Sequence, residues 1–284
     1  MRLRSLLFVP GDRPERFDKA AASGADALIL DLEDGVAPER KEYARAAVAE
    51  RLARGPGGPA LFVRINPIGS ELAEADLAAV LEYRPDGIML PKAEGRRSIE
   101  RLCARLGREQ VPILPIATET PAALFRIGEY GEVAERLCGI GWGAEDLPAA
   151  IGAISAREAG GRYTAPYEMV RALALFGAHA AGVAAIEAIY PAFRDAEGLA
   201  AYAARGRRDG FTGMMAIHPA QVPVINQAFT PGAEELAEAR AIVALFAADP
   251  GAGVLSLDGR MVDAPHLARA RRLLASMGED ISER

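Results

Sequence analysis

At six places along this chain, charged or hydrogen-bonding side chains stand at the end of a short apolar run. Asp31, Glu33 and Asp34 close or follow ALILDL, Arg64 and Asn66 close FVRIN, and Lys92 and Glu94 follow GIMLP. Thr118 and Glu119 follow ILPIA, Glu145 and Asp146 follow CGIGW, and His218 ends MMAIH. A charge emerging from a buried run is costly unless it is paired or liganded. Six such ends converging on one mouth describe a binding site with several carboxylates and at least two cations.

Glu119 and Asp146 are the candidate metal ligands. They follow neighbouring runs, and an all-oxygen pair with no His or Cys beside it fits Mg²⁺ or Mn²⁺, ions that keep several waters. On spacing alone, ligation and simple ion pairing to Arg64 or Lys92 are equal alternatives. The planar fork of Arg64 suits a carboxylate or the oxygen of a developing enolate; its other reading is a partner for Glu33 or Glu119. Lys92 and Glu33 are candidates for the layer behind these residues, Lys92 as a charge that compensates the acidic mouth. Arg13 and Arg16, in GDRPERF after the first run, suit phosphate oxygens or a solvated helix start. Trp142, beside Asp146, either lines a ligand slot or caps the core. His218 is as well suited to a structural hydrogen bond as to a site, while His179, His266, Cys103 and Cys138 carry no activating feature.

What must position these groups is a repeated βα unit. Eight apolar runs, at 6–9, 27–32, 61–65, 87–91, 113–117, 138–142, 185–190 and 214–218, are continuous rather than alternating, as suits strands buried on both faces. Stretches such as KEYARAAVAERLA and EGLAAYAARGRRDG between them have amphipathic helical spacing. The alternation predicts an α/β fold, a (β/α)₈ TIM barrel over residues 1–228, with its chemistry at the C-terminal ends of the strands. An open doubly wound sheet is the weaker alternative, because no dinucleotide fingerprint follows the first run. Residues 229–284 read as a helix–hairpin–helix extension, part of the same domain or a lid: a helix near Ala233 to Ala247, Asp258-Gly259 as the hairpin turn, and Pro265 opening the last helix.

Composition narrows the partners. The 284 residues carry a net charge of −6, which argues against nucleic acid or a membrane surface. Two cysteines cannot build a disulfide framework, no run approaches a membrane span, and the expected location is cytoplasmic.

Taken together, LLFVPGDRPERF, ALILDLEDGVAPERK, FVRIN, MLPKAE, ATETPAAL, GWGAEDL, AIHPAQVPVINQAFTP and LDGRMVDAP resemble the HpcH/HpaI aldolase/citrate lyase superfamily, nearest to the citrate lyase β-subunit and its CitE-like relatives. The resemblance implies a (β/α)₈ barrel and a Mg²⁺-dependent carbon–carbon lyase acting on a carboxylated 3-hydroxyacyl thioester. Citryl-, citramalyl- or malyl-CoA would yield oxaloacetate, pyruvate or glyoxylate plus an acyl thioester. It implies Glu119 and Asp146 as metal ligands, Glu119 and Arg64 at the substrate, and Asp263 of MVDAP as an acid delivered from a neighbouring subunit. Asp263 reads equally well as a helix-start aspartate. The base that removes the hydroxyl proton is open between Glu33 and a metal-bound water. A homotrimer or hexamer is implied, with a CoA or acyl-carrier thioester as substrate and citrate lyase subunits as candidate partners. The alternatives are a malyl-CoA-type thioester hydrolase and a subunit inactive without its partners.

Overall fold

In the computed structural model, residues 1–55 and 57–279 are described. The chain divides into two compact units, Met1–Phe229 and Thr230–Arg284.

In the first unit, each of the eight apolar runs contains a strand: β1 (Ser5–Pro10), β2 (Ala27–Asp31), β3 (Ala60–Arg64), β4 (Gly87–Leu90), β5 (Ile113–Pro115), β6 (Gly139–Gly141), β7 (Ala184–Glu187) and β8 (Gly213–Ala216). They line up in the order β5-β4-β3-β2-β1-β8-β7-β6, with parallel pairing throughout. Bridges Ile113–Leu137 and Ile116–Gly141 join β5 to β6 and close the ring. The fold is a (β/α)₈ barrel, as the run count predicts.

Strand periodicity then sorts the side chains. Leu6, Ala27, Ile29, Phe62, Met89, Leu114, Ile116, Ile186 and Met215 fill the barrel interior. The alternate residues, among them Leu7, Leu28, Leu30, Val63, Ile88 and Leu90, face the helices in a larger outer core. The Phe62 ring takes its interior place because Gly87 has no side chain: a Cβ there would lie 2.2 Å from the ring. The same parity places Asp31 two residues after Ile29 and Arg64 two after Phe62, so both stand on the inner face at the strand ends.

Helix positions follow the amphipathic stretches, with one shortening. KEYARAAVAERLA is a helix, Lys41–Ala53, and Ala196–Asp209 is another, begun by Asp195, which accepts the Gly198 N–H at 2.9 Å. PERFDKAAASGA forms only a 3₁₀ turn, Pro14–Arg16, and a five-residue helix, Phe17–Ala21. The chain soon turns at Gly24, whose φ of +80° is left-handed.

The second unit has its own apolar cluster of Ala239, Ile242, Val243, Phe246, Val262, Ala270 and Leu274. It consists of a helix (Ala233–Ala248), a hairpin of β9 (Val254–Leu257) and β10 (Arg260–Asp263), and a last helix, Ala264–Ser276. Asp258 and Gly259, both at positive φ, make the hairpin turn. Phe229 packs in the outer core of the barrel, so the first unit runs one residue past the expected boundary. Residues 280–284 of the expected extension lie outside the described residues. Among the described residues no helix is long and apolar enough to cross a membrane.

Candidate active site

The anchor of the site is a pair set by strand register. Asp31 and Arg64 are opposite each other at the ends of β2 and β3. Arg64 donates from Nε to Asp31 Oδ1 at 2.7 Å and from Nη2 to Oδ2 at 2.6 Å. Asp31 also accepts the backbone N–H groups of Glu33 and Gly35, both at 2.9 Å. Such bidentate, charge-assisted bonding fixes the plane of the guanidinium. Arg64 Nη1 lies 3.0 Å from Glu33 Oε2, and the guanidinium sits 4.8 Å from the centre of the Phe8 ring. Burial works against its charge, but the bonds to Asp31 and the charges of Asp31, Glu33 and Glu119 raise its proton affinity, so it stays cationic.

Glu33 is nearly inaccessible and lies between Arg64 and the Lys92 ammonium, which pairs with it. Burial pushes its pKa up against the pull of those two cations. Its loop is fixed by a residue with no obvious signal in the sequence: the Lys41 ammonium, buried, donates to the carbonyls of Leu32 and Glu33 at 2.7 Å each and to Asn66 Oδ1 at 3.0 Å. Lys41 follows the Pro38–Arg40 turn and begins its helix, pointing back under the strand end.

Glu119 and Asp146 are brought together at the next staves. Thr118, fully buried, donates its hydroxyl to the Gly143 carbonyl at 2.9 Å and accepts the Gly143 N–H at 3.0 Å, tying the end of β5 to the end of β6. A Cβ on Gly143 would touch Glu119 Oε1 at 3.6 Å, so that carboxylate lies along the glycine. Asp146 opens the short helix Asp146–Ile151. Glu119 is 5% exposed and Oε2 accepts the Lys92 N–H at 2.6 Å. Burial, with Asp146 and Glu33 adding to it, pushes Glu119 up to about 8 against the Lys92 N–H. A carboxylate so buried and so poorly compensated, with a second carboxylate close enough to repel it, fits a hard divalent cation. Among the described residues no group of three or more His, Cys, Asp or Glu side chains forms a metal cluster, so an ion here would complete its shell with water and substrate.

Lys92 joins these parts. Its Nζ reaches Glu33, Asp34 Oδ2 at 3.2 Å and Asp146 Oδ1 at 3.2 Å. Of the two readings of these carboxylates, the ion-pairing one is seen for Asp146, which pairs with Lys92, while Glu119 accepts the Lys92 backbone amide.

Other candidates fall elsewhere. Arg13 and Arg16, on the turn after β1, are more than half exposed and lie 3.8 Å from Asp12 and 3.9 Å from Glu15, respectively. Glu94 is held by Thr120 and Arg126. His218 accepts the Ala220 N–H and stacks on Phe193. Trp142 is in the outer core, donating to Glu187 Oε1 at 2.6 Å. Asp263 belongs to the second unit, at the start of the last helix, where His266 pairs with it and lowers its pKa.

A family profile described as HpcH/HpaI aldolase/citrate lyase matches residues 4–219. The "Citrate lyase subunit beta-like protein" of Mycobacterium tuberculosis is 38% identical over 278 residues, 98% of this chain and 96% of that protein. The "(3S)-malyl-CoA thioesterase" of Cereibacter sphaeroides is 35% identical, over 96% of this chain and 93% of that one. A crystal structure of CitE from M. tuberculosis, in complex with magnesium, acetoacetate and coenzyme A, superposes with a TM-score of 0.81 at 38% identity, covering 98% of this chain and 99% of that one.

Proposed function

The chain belongs to the HpcH/HpaI aldolase/citrate lyase family, and from that premise we propose that it is a Mg²⁺-dependent carbon–carbon lyase of the citrate lyase β-subunit type. Its substrate is a carboxylated 3-hydroxyacyl thioester, cleaved to an α-keto acid or glyoxylate and an acyl thioester. The observation that carries this reading is the buried, undercompensated carboxylate of Glu119 beside Asp146 at the mouth of the barrel. The magnesium and coenzyme A bound to the M. tuberculosis relative support the choice of ion and of thioester.

Glu119 and Asp146 would hold the ion, which would supply polarisation to the oxygens of the α-hydroxy or α-keto acid portion. Arg64, locked in plane by Asp31, presents its remaining donors to negative charge that develops on the thioester enolate. The base that takes the substrate hydroxyl proton is Glu33, buried between two cations, or a metal-bound water. Asp263 supplies the proton that the enolate carbon needs, brought by a neighbouring copy of the chain in a homotrimer or hexamer. Arg13 and Arg16 meet the phosphates of CoA. Whether acyl-carrier or other citrate lyase subunits take part is decided by turnover of the purified chain.

A second reading, hydrolysis of a malyl-type thioester, is favoured by the similarity to the C. sphaeroides thioesterase. Incubating the purified chain with Mg²⁺ and citryl-, citramalyl- or malyl-CoA, then identifying the products, separates the two. Lysis gives oxaloacetate, pyruvate or glyoxylate with an acyl-CoA, whereas hydrolysis gives free CoA and an intact hydroxy acid. No turnover of any of the three would leave the lyase reading to a partner-dependent assembly.

A further inference from the structure

We propose that Lys92 is the resident counter-ion of the two-carboxylate site: its ammonium neutralises Asp146 while the divalent ion is absent and withdraws onto Glu33 and Asp34 when the ion arrives. This rests on the reading of Glu119 and Asp146 as ligands.

The backbone is arranged for it. Lys92 has φ of +50°, in the left-handed region that a residue with a side chain rarely adopts. Strain of this kind persists where the surroundings over-determine it. Here it lets one residue act in two directions. The amide N–H goes to Glu119 at 2.6 Å, and the side chain crosses the mouth to Glu33, Asp34 and Asp146. One lysine thus spans both ligands, with its main chain on one and its ammonium on the other.

The partners are not equivalent. Glu33 is 2% exposed, so water has little access to replace the ammonium there, and Arg64 is its other cation. Asp146 is 32% exposed and 3.2 Å away, and water or an ion can replace the lysine there. Three carboxylates, those of Glu33, Asp34 and Asp146, surround the ammonium. An incoming dication therefore competes with a fixed positive charge at Asp146 but not at Glu33. The ammonium prevents the carboxylates from repelling each other apart in the empty site, and in return it holds ion affinity below what the bare pair would have.

Titration of the full chain with MgCl₂ in a calorimeter tests this with three variants. Lys92→Gly tolerates the positive φ and keeps the amide on Glu119; Lys92→Met keeps backbone strain and stem but loses charge; Lys92→Arg keeps charge. The Gly and Met variants should bind Mg²⁺ about tenfold more tightly, and Arg close to the wild type. Without ion the melting temperature of Lys92→Met should fall, and the upward shift that saturating Mg²⁺ produces should be larger in Lys92→Met than in the wild type. Unchanged or weaker binding by the Gly and Met variants, or a Mg²⁺-induced melting shift no larger than that of the wild type, overturns the counter-ion role. A wild-type chain that takes up no Mg²⁺ overturns the ligand reading itself and the inference with it.

Discussion

The Thr118 hydroxyl is bonded to both backbone polar groups of Gly143, donating to its carbonyl at 2.9 Å and accepting from its amide at 3.0 Å. This single side chain sets the spacing between two neighbouring staves just before each delivers a carboxylate. Thr118→Val keeps the shape but leaves two half-buried backbone groups of Gly143 without that partner. We expect a loss of about 1–3 kcal/mol in urea unfolding. Mg²⁺ affinity should fall roughly tenfold, the usual order for a displaced outer contact of a metal site. Thr118→Ser should recover both.

Arg64 should not be replaceable by lysine. An ammonium cannot make the bidentate pair with Asp31 while offering fixed donors to substrate. Arg64→Lys is expected to lower kcat by about 10²-fold or more, since the lost donor acts on charge that develops only during the reaction. Steady-state kinetics on whichever thioester turns over will show whether the loss lies in kcat or in KM.

A pH dependence follows from Glu119, raised from 4.5 to about 8. Below about 4.5 the group is protonated in both folded and unfolded chains. As pH rises toward 8 the unfolded chain has already released its proton while the folded one retains it, so the ion-free fold loses stability across that window. Mg²⁺ binds the ionised form, so the increase in melting temperature that it produces should grow from about pH 6 to about pH 8 and level off above. Thermal melts with and without Mg²⁺ across this range read it directly, and Glu119→Gln should flatten the dependence.

Glu187 offers an optical probe. It is completely buried at the end of β7, where parity turns it outward toward the helices. It accepts from Trp142 Nε1 at 2.6 Å, from the Tyr202 hydroxyl at 2.9 Å and from Arg171 Nε at 2.8 Å. Glu187→Gln removes the charge that compensates Arg171, itself buried, at a cost of about 3 kcal/mol or more. Trp142 is the sole tryptophan of the chain, so a change in its fluorescence reads the loss of this bond directly.

Much of the frame was legible because buried parallel strands announce themselves as unbroken apolar runs. Arg64 does pair with Glu33, one of the two partners offered by the run ends; its bidentate partner Asp31 went unread, because it emerges only when strand parity puts both on the same face at the same depth. Glu187 was hidden for a related reason: within AIEAIY it looks like one polar residue in a core strand, and only the outward phase of β7 gives it a helix-side partner. Lys92 was legible as a charge that compensates the acidic mouth, but its backbone geometry, and the role of Lys41 altogether, were beyond sequence reasoning. A positive φ at lysine has no signal in composition, and the carbonyl cage around Lys41 exists only once β2 and the helix after it are folded. Asp263 is legible as a helix start, and the structure shows it in that role, paired with His266.

Calorimetric titration of Mg²⁺ into the wild-type chain and into Glu119→Gln, with circular dichroism confirming that both are folded, bears most directly on the two-carboxylate site. One ion per chain in the wild type and none measurable in the variant is the expected result. Equal binding by the two would contradict it.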